Sequence, residues 1–85
     1  MDKSTIRLLI LDRLSKVFPY AVTVPLLHSQ IKHEGCDIEA AEVTDHLRAL
    51  ADSDALVDVE RDPLDVEVRR WRITSKGVAF LKANK

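Results

Sequence analysis

The run Asp37-Ile38-Glu39-Ala40-Ala41-Glu42-Val43-Thr44-Asp45-His46-Leu47-Arg48-Ala49-Leu50-Ala51-Asp52-Ser53 (residues 37–53) decides how the rest of the chain is read. Ala40, Val43, Leu47 and Leu50 recur at three- and four-residue steps, which makes one apolar stripe along a helix. Asp37 stands just ahead of that stripe, where its carboxylate can accept from the free backbone N–H groups of the first turn. Glu39 adds negative charge at the positive end of the helix dipole. Gly35, two residues upstream, suits the left-handed conformation in which a preceding helix stops. The spacing therefore predicts two helices joined by a glycine turn, the second covering 37–53. At about 100° per residue, its face opposite the stripe displays Ala41, Thr44, Asp45, Arg48, Ala49 and Asp52. From Asp37 to Asp54 the chain carries six acidic residues against one basic residue, Arg48, so this helix attracts no polyanion by charge alone.

Upstream, Pro25 to His33 reads as a helix with Thr23 as its cap, Leu27 and Ile31 as its buried face and Leu26 beside them. Tyr20 to Thr23 is short and extended. Ser4 to Phe18 reads as the first helix, capped by Ser4 or Thr5. Ile6, Ile10, Leu14 and Val17 form its core face, with Leu11 and Phe18 alongside, and Pro19 ends it. Leu8 points away from that face, next to Asp12. Downstream the period changes. Residues 55–62 alternate apolar and charged side chains as a half-buried strand does, and Asp62-Pro63 makes a turn. A second strand runs from Val66 to Thr74. Trp71 and Ile73 share one of its faces and Val66 and Val68 the other, so the apolar face switches partway, as at a bulge. Thr74 or Ser75 caps a last helix, Lys76 to Ala83, with Val78, Phe80 and Leu81 apolar.

The 85 residues suffice for one small core, so a single domain over 1–85 is expected. No apolar run approaches the roughly 20 residues of a membrane span, and the first residues lack a signal-peptide pattern. Cys36 is the sole cysteine, which excludes an internal disulfide and suits a reducing cytoplasm. His33-x-x-Cys36 is a single short pair without the second pair that a zinc site requires, and His28 and His46 add no ligand spacing. No nucleophile elbow or phosphate loop is present, so neither catalysis nor a metal or cofactor is expected. The net charge of −1 conceals an asymmetry: Arg69 to Lys85 contains six basic residues and no acidic one.

The order helix, short strand, helix, glycine turn, helix, hairpin, short helix resembles the winged helix-turn-helix family, a mainly α fold with a small β-hairpin. The run Trp71-Arg72-Ile73-Thr74-Ser75-Lys76-Gly77-Val78-Ala79-Phe80-Leu81 resembles the end of the wing in bacterial and archaeal regulators. There an aromatic–x–Ile/Leu–Thr–x–x–Gly pattern leads the second wing strand into a helix. The resemblance implies a small transcriptional regulator, of a length common in prophage and archaeal genomes, that binds double-stranded DNA, with the 37–53 helix in the major groove and the wing tip, Arg61 to Val66, on the backbone. It makes Lys32, Thr44, Arg48, Arg61, Arg70, Arg72 and Lys76 the candidate DNA contacts. Arg70 and Arg72 share one face of the strand and Arg69 takes the other, and all three can instead pair with Asp58 and Glu60 across the hairpin. One small module seldom binds tightly alone, so a homodimer is implied. The acidic residues support an alternative: a protein-interaction module that docks Asp45, Asp52, Asp62 and Asp65 on a basic protein partner.

Overall fold

The computed structural model describes residues 2–84, apart from the side chain of Val66; Lys85 and the facing assigned to Val66 lie outside the described residues. The elements are α1 (Lys3–Ser15), β1 (Val22–Thr23), α2 (Val24–His33), α3 (Ala40–Asp54), β2 (Val57–Asp62), β3 (Asp65–Ile73) and α4 (Ser75–Ala83). This is the order expected from the sequence. The three strands form one antiparallel sheet with β3 in the middle, between β1 and β2.

Burial of apolar stripes explains the helices. Ile6, Ile10, Leu11 and Leu14 of α1 meet Leu27 and Ile31 of α2, Val43, Leu47 and Leu50 of α3, and Trp71 and Ile73 of the sheet. Each such side chain contributes about 1.5–3 kcal/mol when fully buried. Leu8 is half-buried and packs on the same core, so it is not the outward leucine expected.

Boundaries differ from expectation where a cap or tether was missed. Asp2, not Ser4 or Thr5, caps α1: its carboxylate accepts from the Thr5 backbone N–H at 2.8 Å. α1 also stops at Ser15 instead of Phe18, because residues 16–19 turn into Pro19; Val17 is half-buried and Phe18 is 44% exposed. α3 begins at Ala40, three residues later than expected, so Asp37 is not its cap and Ala40 is exposed. The reason is tertiary. Cys36 is buried, Ile38 packs on the core, and the His28 ring donates from Nε2 to the Ile38 carbonyl at 2.6 Å, which holds 36–39 extended.

Gly35, at φ +94°, ends α2 as expected. Its N–H bonds the Lys32 carbonyl and the Cys36 N–H bonds Ile31, the paired bonds of a Schellman turn. Thr74 caps α4 by accepting from the Gly77 N–H at 3.1 Å, and its hydroxyl donates to the Ala55 carbonyl at 2.7 Å. Gly77 lies directly on the Leu56 carbonyl, where a side chain has no room.

Candidate nucleic-acid interface

α3 carries its buried stripe inward and leaves Asp45, Arg48 and Asp52 exposed. Thr44 is half-buried, one turn before Arg48 on the same side, and its hydroxyl donates to the Ala40 carbonyl at 3.3 Å. Ala49 is not displayed as expected: it is half-buried and lines a groove with Leu8, Leu50 and Phe80 between α1, α3 and α4. His46 turns toward α1, where Arg7 Nε donates to its Nδ1 at 3.1 Å. Burial, followed by the Arg7 charge, lowers the pKa of His46 below the usual histidine value.

The hairpin sorts its charges by face. The register places Asp58 opposite Arg72 and Glu60 opposite Arg70. Arg72 reaches Asp58 at 3.2 Å and Glu60 at 3.6 Å, and Arg70 reaches Asp62 at 3.6 Å. Arg70 and Arg72 are therefore occupied by carboxylates of their own wing. Asp62 and Asp65 also serve the turn, accepting from the Leu64 and Glu67 N–H groups at 2.9 and 3.1 Å. Between them Leu64 stands 96% exposed at the tip.

The other face of the hairpin carries Val57, Val59, Trp71 and Ile73 at its base. Toward the tip it carries Arg61 directly opposite Arg69. Both are exposed, and among the described residues neither makes an ion pair. Beyond them the next partners are Asp62 and Asp65, so residues 66–68 have no counterpart on β2. That bulge explains the switch of apolar face seen in the sequence. Arg69, together with Val68 and Glu67, also borders a groove of about 360 Å³ against Thr23, Val24 and Pro25 at the start of α2. Alternation along the strand separates Arg69 from Arg70 and Arg72, and only the register reveals its facing arginine.

The remaining candidates lie apart. Lys32 is exposed on the last turn of α2 beside Arg13 and His33. Lys76 is exposed on the first turn of α4, beyond the base of the hairpin. Four residues of β3, about 13 Å at strand rise, separate Arg69 from Ile73 at that base. Lys32, Arg70, Arg72 and Lys76 thus do not make a continuous strip of free cations. Among the described residues no three His, Cys, Asp or Glu side chains converge as a metal site, and no helix is long and apolar enough to cross a membrane.

Solved structures similar to this chain include two variants of one protein and a transcription regulator. A cysteine-to-serine variant of ZitR from Lactococcus lactis is 25% identical, with a TM-score of 0.71 over 94% of this chain and 49% of that one. A glutamate-to-alanine variant of the same protein is 24% identical, with a TM-score of 0.64 over 89% and 48%. A MarR family transcription regulator is 21% identical, with a TM-score of 0.72 over 91% and 46%. The chain spans about half the length of each. No protein-family model matches it, and no curated protein does.

Proposed function

We propose that this chain, a winged helix-turn-helix domain, binds double-stranded DNA as a small cytoplasmic transcriptional regulator, with no catalytic role. One observation carries the reading: Arg61 and Arg69 face each other across the wing, and among the described residues neither is ion-paired. Like charges directly opposite destabilise a hairpin, so the pair calls for an anion from outside. A phosphate backbone supplies it. α3 would then lie in the major groove with Thr44 and Arg48 toward the bases, Arg48 suiting the O6/N7 edge of guanine. Arg70 and Arg72 stiffen the wing through their ion pairs, and Lys32 and Lys76 are peripheral. A homodimer, the arrangement that doubles such a small footprint, is part of the reading. The similarity to ZitR and to a MarR family transcription regulator supports it.

A fluorescence-anisotropy titration of random duplex DNA between about 50 and about 200 mM salt tests this. Binding at low salt is expected, with log K falling by about 0.9 per neutralised phosphate for each tenfold rise in salt. No binding at low salt would refute the reading. It would turn attention to the acidic face of Asp45, Asp52, Asp62 and Asp65 as a dock for a basic protein.

A further inference from the structure

His46 is the one buried polar side chain among the described residues, 7% exposed, and it stands on α3 two residues before Arg48. Its bond with Arg7 joins α3 to α1. An arginine Nε–H can only donate, so Nδ1 of His46 must accept and the ring must be neutral. A proton at Nδ1 would set N–H against N–H and a second positive charge beside the guanidinium. Lys3 and Arg7 on α1 oppose that charge, while Glu42 and Asp45 on α3 favour it.

We propose that the Arg7–His46 pair is a proton-sensitive latch, which fixes α3 against α1 while His46 is neutral and releases it when the ring takes a proton, so that DNA binding weakens in acid. The DNA consequence rests on the function proposed above. Its sign is diagnostic. Acid makes the chain as a whole more positive, which by simple electrostatics strengthens binding to a polyanion. The latch acts in the opposite direction.

The test compares the full chain with His46→Gln, which keeps an acceptor for Arg7 but cannot be protonated. Anisotropy with one random duplex is read from about pH 7.5 to about pH 5.5 at fixed ionic strength, a window spanning histidine titration. The two proteins should match at the upper end. At the lower end the wild type should bind about tenfold more weakly than the variant, a difference of about 1.4 kcal/mol. Parallel curves would overturn the proposal. A second readout needs neither DNA nor the variant: in the ¹H–¹⁵N spectrum of the wild type, amides of both α1 and α3 should shift with the midpoint of the His46 ring. A ring that titrates while α1 stays still overturns the latch. Absence of duplex binding with coupled amide shifts would instead refute the functional reading alone.

Discussion

Arg69→Glu should stabilise the fold and weaken DNA binding at once. In the register Arg69 sits opposite Arg61 on one face of the hairpin, and among the described residues neither makes an ion pair. Reversing one charge replaces a repulsive cross-strand pair by an attractive one, and such pairs contribute roughly 0.2–1 kcal/mol. Both positions are exposed, so screening favours the lower half of that range. For a domain of this size, 1 kcal/mol moves the melting midpoint by about 4–8 °C, so a rise of about 1–4 °C is expected. The effect on DNA has the other sign. The change removes one phosphate contact and adds one repulsion, which should lower the slope of log K against log salt by about 1–2. Differential scanning fluorimetry and a salt series of anisotropy titrations give the two numbers. A melting point that falls would show that Arg69 already has a stabilising partner and that the unpaired-arginine argument is wrong. Stabilisation with an unchanged salt slope would remove the wing from the DNA surface.

Gly77→Ala should destabilise by about 1–3 kcal/mol, because the added Cβ would overlap the Leu56 carbonyl oxygen and come within 2.6 Å of Ile73 Cγ1. Helix propensity alone would predict a gain of about 1 kcal/mol, so the sign in urea denaturation decides which effect wins. The lowered pKa of His46 makes the unfolded chain bind more protons. Its stability contribution is therefore fully present above the unfolded value near 6.5 and lost as pH falls through the folded value. Denaturation midpoints across that range should fall in acid for the wild type and less steeply for His46→Gln. Arg48→Ala should cost about 1–3 kcal/mol at a selected site and little on random duplex if Arg48 reads a base. Asp45→Lys with Asp52→Lys should raise random-duplex affinity and steepen its salt dependence, since both carboxylates are exposed on α3 beside Arg48. Unchanged affinity would place that face away from the phosphates.

Most of the fold was legible because it depends on period and local chemistry. Val43, Leu47 and Leu50 announce α3 by spacing, Gly35 announces the end of α2, and Thr74 announces α4. What escaped depends on contacts between distant residues. Nothing local in Asp37-Ile38-Glu39 says that a histidine ten residues earlier will hold the Ile38 carbonyl and delay the helix. Asp2 takes the place of Ser4 and Thr5 as the cap because α1 begins at Lys3, ahead of both. Alternation correctly put Arg69 on a different face from Arg70 and Arg72, but alternation does not say what lies across the hairpin. The Arg61–Arg69 juxtaposition follows from a register fixed by the turn and by the unmatched residues 66–68, and that register has no signature in composition.

A net charge of −1 is compatible with a DNA surface because the hairpin partitions its charges. Asp58, Glu60 and Asp62 are engaged by Arg70 and Arg72, so among the described residues Arg61 and Arg69 are the wing arginines without an ion pair. The acidic residues of α3 then acquire a role on the DNA-binding reading. Carboxylates beside Arg48 penalise any docking that brings phosphates against α3, whereas a correctly seated helix faces base edges, where cytosine offers a donor to a carboxylate. Specificity is a difference between affinities, and repulsion that acts mainly on wrong registers widens that difference without adding a contact. On that reading the same carboxylates would keep random-duplex affinity low, so the discriminating quantity is the ratio of specific to non-specific binding at one salt concentration.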